Sequence, residues 1–408
     1  MRSRAAAGLA SGQRRGGKRR RATAGPHYDR VEEEIAIRAA VIDRPGTPLV
    51  VEDLTLDEPR AGEVRVRMLA SGVCHSDLHV RDGDWERPGP IVLGHEGAAV
   101  VEQLGTGVRG LREGQLVALT WYAPCLRCRA CQAGRQWACS GSPSVTHRMA
   151  DGTTRLHRAS GDDVLAYLSI GTFAEAQVVP ETAAVPMPDG VPAEVAALIG
   201  CCVSTGVGAV VKTARVEAGA SVVVFGLGGV GLSVVMGAAL AGAARIVAVD
   251  RVESKLAVAA ELGATHGILA TERVETLAAI RDATDGGPDY AFEAIGLPAT
   301  VEQAMEVLPA GGTAVLVGLT PFGARASFEV FPFVDASRRI LGSNYGYAVA
   351  AIDFPRYAEL YLGGRLPIDR LVDRRISLDG IEDAFGRMRR GEGLRSVVMF
   401  GAGGGPGG

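Results

Sequence analysis

Residues 221–250 read SVVVFGLGGVGLSVVMGAALAGAARIVAVD. Val222–Phe225 is a short apolar run of strand length. Gly226-Leu227-Gly228-Gly229-Val230-Gly231 follows at once, and a helical pattern then continues through Ala241. A second apolar strand, Arg245–Val249, ends in Asp250, nineteen residues beyond Gly231. In a chain with 55 glycines a GxGxxG match alone carries little. Set between a strand and a helix, with an acid about 20 residues on, it is a specific sign of dinucleotide binding. The glycines let the backbone approach a pyrophosphate, whose charge meets the helix N-terminus. Asp250 in that place accepts from a ribose 2′-OH and repels a 2′-phosphate, so NAD is expected rather than NADP.

Downstream the alternation continues. Glu253–Leu262, Glu272–Thr284 and Ala299–Leu308 have helical texture, and Tyr290–Ile295 and Thr313–Val317 read as strands. This predicts a doubly wound α/β sheet of about six strands. After Gly342 the rhythm is lost; Phe354–Leu362 reads as a helix, and Leu394–Phe400 as a strand returning to the first domain. Upstream, from about Ile35, the stretches AIRAAVI, EVRVRML, GAAVVEQLG and QLVALTW are punctuated by Pro and Gly, the pattern of a mostly β segment. Residues 140–180 are polar and glycine-rich, GTFAEAQVVP returns to strand pattern, and Pro192–Ile199 reads as a helix. The expected organisation is a basic extension at 1–34, a catalytic domain at 35–204 and 345–400, a nucleotide domain at 205–344 and a flexible tail at 401–408.

Seven cysteines stand at 74, 125, 128, 131, 139, 201 and 202. The odd count, with no secretion signal, argues against a disulfide framework. Cys125, Cys128, Cys131 and Cys139 fall within fifteen residues, close enough to close on one tetrahedral zinc. The bacterial iron–sulfur spacing ends in three residues and then Cys-Pro; here there are seven, and Ser140 follows. All-sulfur, closed coordination holds a lobe in place and does no chemistry. A second set of donors is scattered: Cys74-His75-Ser76-Asp77-Leu78-His79, then Gly94-His95-Glu96 at a strand end, then Gly200-Cys201-Cys202 after the helix. One Cys, one His and one further Cys make a three-ligand zinc site with a fourth position open. Spacing alone leaves open which of Cys201 and Cys202 belongs to it.

Composition is that of a globular protein: 47% apolar, 22% charged, net charge −3. That balance implies no general attraction to nucleic acid. Residues 1–34 carry nine Arg/Lys against four Asp/Glu, with Arg14-Arg15 and Lys18-Arg19-Arg20-Arg21. So few large apolar side chains give a solvated extension as the expectation. No apolar run is expected to reach membrane-spanning length.

Taken together, GVCHSDLH, GHE, the four-cysteine lobe, GCCVSTG and GLGGVGLSVVMGAALAGAARIVAVD give a chain that resembles the zinc-dependent medium-chain alcohol dehydrogenases over roughly residues 35–400. The resemblance implies a GroES-like, mostly β catalytic domain beside a Rossmann domain binding NAD. It implies two zinc ions per chain, one catalytic on Cys74, His95 and Cys201 and one structural on the four-cysteine lobe. Glu96 then lies behind the catalytic metal and Asp77 orients His95 through its other ring N–H. Ser76 and His79 match the family's proton relay. Thr205, Val230 and Val317-Gly318-Leu319 match positions lining the nicotinamide, Lys255 an adenosine-ribose contact and Arg395 a pyrophosphate contact. His75 replaces an arginine that many members turn to the pyrophosphate. Trp85 and Trp121 fall where the family lines its substrate channel, and two indoles there suit flat or slender substrates.

The chemistry asks for these residue types. A zinc with an open position acts as a Lewis acid on an alcohol oxygen. Ser76 takes the proton, and His79, an imidazole whose ordinary pKa lies near neutrality, carries it toward water. Hydride transfer belongs to the cofactor once geometry is set. The expected activity is reversible, NAD-dependent oxidation of a primary or aromatic alcohol to an aldehyde by a cytoplasmic homodimer paired through the edge of its nucleotide sheet. The segment between Cys139 and Cys201, with Asp151-Gly152-Thr153, also resembles the branch holding the thiol-dependent formaldehyde dehydrogenases, which act on S-hydroxymethyl glutathione or mycothiol. A protein without turnover that binds nucleotide, or nucleic acid through residues 14–21, is the reading from another class. Ligands, relay and fingerprint occurring together argue against it.

Overall fold

The computed structural model describes residues 34–401, so the basic extension and the glycine-rich tail lie, but for Glu34 and Gly401, outside the described residues. Ten strands build the first part of the chain: β1 (Ile35–Ile42), β2 (Val50–Leu56), β3 (Glu63–Gly72), β4 (Ile91–Val92), β5 (Glu96–Leu104), β6 (Leu116–Leu119), β7 (Leu156–His157), β8 (Asp163–Ala166), β9 (Ala176–Pro180) and β10 (Ala184–Pro186). In β3 the alternation is plain: Val64, Val66, Met68 and Ala70 are buried while Arg67 between them is exposed, the period of two that a half-covered strand needs. Strands β1, β2, β7, β8 and β4 close into a small barrel, and β10, β6, β5 and β3 form a second sheet with β9 also paired to β3. Helix α1 (His75–Asp82) starts directly beyond β3, with Cys74 as its N-cap and Gly83 ending it in the left-handed region.

Helix α2 (Ala193–Ala214) separates this part from the next. It corrects two expectations. It does not stop near Ile199 but runs on through π-helical turns at Ile199–Val203 and Ala209–Ala214. At 22 residues, with a mean hydropathy of 1.9 over its most apolar 18-residue window, it is also long and apolar enough to cross a membrane by length and composition. Gly200, Ser204, Thr205 and Gly206 break the visible apolar run in sequence, yet a helix bonds its own backbone and carries such residues inside a core. Eighty-three per cent of its most apolar window is buried in the protein, as befits a core helix.

Then come β11 (Ser221–Phe225), α3 (Gly229–Ala241), β12 (Arg245–Asp250), α4 (Glu253–Glu261), β13 (His266–Leu269), α5 (Arg273–Ala283), β14 (Tyr290–Glu293), α6 (Pro298–Glu306), β15 (Thr313–Leu316), α7 (Val330–Asp335) and β16 (Arg339–Gly342). The six strands pair in parallel in the order β13-β12-β11-β14-β15-β16, the doubly wound order with its switch point at β11 and β14. The four inner strands are short and apolar because both their faces are covered, while the edge strands β13 and β16 are mostly exposed; α3, apolar all round, is buried at every position from Gly231 to Ala238.

After α8 (Ala350–Leu362), β17 (Val372–Ile376) and α9 (Ile381–Arg389), the last strand β18 (Arg395–Met399) pairs antiparallel with β3, Val397 opposite Gly72 and Met399 opposite Ala70. The closing strand does return to the first domain. One apolar core runs from Ala70 and Ala98 through α2 into α3, the parallel sheet and α8. That continuity fixes the ends of β3, α2 and α3 against one another, and the candidate site lies among those ends.

Candidate active site and metal centres

Cys74, His95, Glu96 and Cys201 converge from the end of β3, the loop before β5, the first residue of β5 and the first π turn of α2. One donor atom from each lies within 4.8 Å of all the others, and all four residues are buried. Asp77 supports two of them from α1. Its Oδ1 accepts from His95 Nδ1 and from the Gly94 N–H, both at 3.0 Å, and its Oδ2 from the Cys74 N–H at 3.2 Å. The carboxylate fixes the His95 tautomer and leaves Nε2 as the other ring nitrogen. Cys202 is not part of the cluster; its thiol donates along α2 to the Leu198 carbonyl at 3.6 Å, and burial pushes its pKa up.

The electrostatics of this cluster suit a soft dication. A hydrogen bond with Cys201 draws the Cys74 thiol well below its ordinary pKa against the effect of burial, with Arg395 and His95 assisting, and the same bond raises Cys201. Burial works against a charged His95, yet Asp77 and then Cys74 outweigh it and raise its pKa. Burial pushes Glu96 up to about 7, against the pull of Arg395. Among the described residues neither Glu96 carboxylate oxygen has a hydrogen-bond partner, although Arg395 Nη1 stands 3.2 Å from Oε1. Two thiols, one imidazole and an undersatisfied carboxylate in a dry pocket make the donor set zinc prefers, with three protein ligands and room for a fourth.

Cys125, Cys128, Cys131 and Cys139 form a second cluster, with their sulfurs also within 4.8 Å of one another. The Cys131 N–H points at Cys128 Sγ at 3.5 Å and the Cys125 N–H at Cys139 Sγ at 3.2 Å, as backbone donors do around thiolates. All seven cysteines are free thiols.

The glycine turn expected to meet a dinucleotide stands where α3 begins. Gly226 has φ +89°, which the turn out of β11 requires. Asp250 ties that turn to its own strand: Oδ2 accepts from the Leu227 N–H at 2.7 Å and Oδ1 from the Val252 N–H at 3.0 Å. Arg395 lies against the turn, since a Cβ on Gly229 would fall 2.0 Å from its Nε, and its Nη1 donates to the Val73 carbonyl at 3.0 Å. One buried guanidinium therefore touches the metal cluster, the chain before Cys74 and the glycine turn. Gly228 is exposed and Gly231 buried; Thr205 and Val230 are half-buried on α2 and α3, which meet where Gly206 packs on the Val230 backbone. The Val317 and Gly318 N–H groups both donate to the Glu293 carbonyl at 2.9 Å, leaving Leu319 exposed. Lys255 is half-buried in the first turn of α4, and His75 is exposed with its ring 5.1 Å from that of His79.

Ser76 and His79 lie one turn apart on α1, but no hydrogen bond joins them among the described residues. His79 Nδ1 instead bonds Asp84 at 2.7 Å, and its ring stacks on Trp85 at 4.7 Å. Trp85 is buried, and its indole Nε1–H donates to the Thr320 carbonyl, 3.2 Å away on the loop after β15. Trp121 packs on Tyr345 at 4.3 Å, with Nε1 buried and without a partner among the described residues. The sequence reading missed the neighbours that shape this side of the site: Asp84, Arg87, His147, Tyr167, Thr320 and Tyr345. Tyr167 meets the His95 ring edge-on at 5.7 Å, and Tyr345 donates to the Gly200 carbonyl beside Cys201. None sits in a motif; only tertiary folding brings them close.

Two family descriptions match the chain: an alcohol dehydrogenase GroES-like domain over residues 60–189 and a zinc-binding dehydrogenase domain over residues 229–362. The chain is 36% identical over 373 residues to the S-(hydroxymethyl)glutathione dehydrogenase of Paracoccus denitrificans, covering 89% of this chain and 99% of that one. It is 37% identical over 370 residues to the NDMA-dependent alcohol dehydrogenase of Amycolatopsis methanolica, covering 90% and 99%. The crystal structure of benzyl alcohol dehydrogenase from Acinetobacter calcoaceticus superposes with a TM-score of 0.85 at 33% identity, covering 90% of this chain and all of that one. The chain belongs to the zinc-dependent medium-chain alcohol dehydrogenases, oxidoreductases that act on CH–OH groups with zinc and a nicotinamide dinucleotide.

Proposed function

We propose that the protein oxidises primary or aromatic alcohols to aldehydes with NAD, reversibly, as a cytoplasmic homodimer. The observation that carries this is the placing of Arg395: it joins the Cys74/His95/Cys201 cluster to the glycine turn, so metal and dinucleotide meet at one point. Cys74, His95 and Cys201 would hold the catalytic zinc and the four-cysteine lobe the structural one. When bound, the zinc supplies Lewis acidity toward the alcohol oxygen and the nicotinamide the hydride acceptor.

The chain's own residues supply the rest. Asp77 holds His95 Nδ1–H, which keeps Nε2 free for the metal. Ser76 Oγ accepts the alcohol proton, and because no bond links it to His79, the proton reaches the imidazole through an intervening hydroxyl or water. Asp84, bonded to Nδ1, orients that ring. Trp85 and Trp121 line a narrow apolar passage that excludes water. Asp250 accepts from the ribose and disfavours a 2′-phosphate, which supports NAD over NADP. For the dimer, edge strand β16 lies near exposed Val330, Phe331 and Val334, an apolar surface suited to a second copy.

The test is a substrate panel on zinc-replete protein. Reduction of NAD, but little of NADP, with benzyl alcohol or short primary alcohols is expected, together with about two zincs per chain. Full activity in metal-free protein would sink the reading. The likeness to the Paracoccus enzyme supports a second reading, oxidation of a thiol–formaldehyde adduct. Formaldehyde oxidation appearing only with an added low-molecular-weight thiol would select it.

A further inference from the structure

Arg87 stands on the loop between α1 and β4, two residues beyond Trp85. Its guanidinium carbon lies 5.9 Å from the centre of the Trp85 ring and 5.8 Å from that of Phe322. One of its N–H groups bonds the adjacent Glu86 carbonyl at 2.7 Å; Nε is buried with no partner among the described residues. Among the described residues no carboxylate lies within ion-pair distance of it. Yet the acids next to it in sequence, Asp84 and Glu86, were available, and Asp84 is turned to His79 instead.

The surroundings tie this cation to the active site. Trp85 stacks on His79. On another side the charge of Arg87 is felt at Tyr167 and His147, whose rings lie 5.5 Å apart, and Tyr167 is edge-on to His95. A guanidinium near aromatic faces is held by its planes and keeps its N–H edge for a planar anion, which it grips with two parallel hydrogen bonds. Removing a cation from water without a counter-ion is costly, so a partner arriving from outside is the natural complement.

We propose that Arg87 binds a carboxylate at the end of the substrate remote from the reacting carbon, so that the substrate class is a carboxylate-bearing primary alcohol, or its aldehyde, with a flat or slender spacer. The proposal rests on the reading of the metal cluster as the place of alcohol oxidation. The reaction is unchanged in kind: the carbinol carbon gives a hydride to NAD, the hydroxyl gives its proton through Ser76, and the carboxylate takes no part.

The zinc-replete holoenzyme is assayed with 4-(hydroxymethyl)benzoate and with benzyl alcohol, which differ only in the carboxylate. The expected kcat/KM ratio favours the acid roughly ten- to hundredfold, the worth of one good charge-assisted contact. In Arg87→Gln that ratio falls toward one, and Arg87→Lys, which keeps the charge but loses the fork, lies between. Arg87→Glu reverses the preference toward 4-(aminomethyl)benzyl alcohol, which a merely structural role would not do. A ratio near one in the unaltered enzyme, or one unmoved in Arg87→Gln, overturns the proposal. Calorimetry of benzoate against benzamide on the same holoenzyme separates the two readings. Tighter benzoate binding lost in Arg87→Gln, without oxidation of any alcohol, leaves the anion site standing and refutes the alcohol chemistry. Equal binding of benzoate and benzamide refutes the anion site whatever the turnover.

Discussion

Asp77→Asn changes one atom and should separate the two zinc sites. Asp77 is fully buried and takes three N–H donors, two on Oδ1 from His95 and Gly94 and one on Oδ2 from Cys74. An asparagine offers a single acceptor. With its oxygen in the Oδ1 place, the two bonds at 3.0 Å survive and its NH2 faces the Cys74 N–H, donor against donor. A buried donor left unmet costs about 1–3 kcal/mol. The alternative flip loses two bonds and is worse. Either way the negative charge that raises the proton affinity of His95 is gone, so its Nε2 becomes a poorer ligand. Such losses behind a metal ligand lower affinity by about 10–100-fold. Competition with a chromophoric chelator reads this directly, because the four-cysteine lobe is an internal control in the same molecule. The variant should give up one zinc at about 10–100-fold lower chelator concentration than the unaltered protein and hold the other as before. If both zincs of a folded variant titrate as in the unaltered protein, the role given to Asp77 is wrong.

Trp85→Phe keeps the stack on His79 and removes only the bond to the Thr320 carbonyl. Losing about 0.5–1.5 kcal/mol between the α1–β4 loop and the loop after β15 should speed NADH release by roughly two- to tenfold in stopped-flow fluorescence; an unchanged rate counts against a closing role. His147 is buried and its pKa pushed down to about 4 by burial and then by Arg87. Between an unfolded value of about 6.5 and about 4, the unfolded chain holds a proton that the folded one does not, so stability is lost as the pH drops through that window, by up to about 3 kcal/mol. His147→Gln should flatten this part of the pH–stability curve in urea titrations, and an equal slope in the variant assigns it elsewhere. Phe331, 81% exposed near the β16 edge, is expected to be covered by a second copy. Phe331→Asp should therefore sediment as a monomer, and a dimer that persists moves the interface to another face.

The parts of this protein legible in sequence are those whose physics is local. The turn from Gly226 to Gly231 announces itself because a φ of +89° and the start of a helix demand glycine there. The four-cysteine lobe is legible because its ligands lie in one short loop. The nucleotide sheet follows from alternation, although its edge strand His266–Leu269, mostly exposed and carrying only Ile268 and Leu269 as apolar residues, does not stand out. Arg87, Tyr167 and His147 were invisible for the opposite reason. Arg87 and His147 stand in polar stretches and Tyr167 in the short run VLAYLSI, and the meaning of each comes from rings contributed by chain distant in sequence. The two-residue strands that close the barrel, and the continuation of α2 beyond Ile199, likewise depend on burial rather than pattern.

The π turn in α2 sets a phase. At Ile199–Val203 the helix is wound one residue loose, and Ser204 Oγ takes up the Ile199 carbonyl at 2.6 Å. Within the slack the helix is held at Gly200, where a Cβ would lie 2.7 Å from the Leu119 carbonyl; beyond it the helix is held at Gly206, against the Val230 backbone of α3. Deleting one of the tandem cysteines would slide Cys202 into the seat of Cys201 and keep a thiol at the metal. The same deletion would tighten the turn and rotate Thr205 and Gly206 by about 100° away from α3. One extra residue thus keeps the metal cluster and the proposed coenzyme face in step along a single rod, and its loss would preserve the thiol while putting that face out of register.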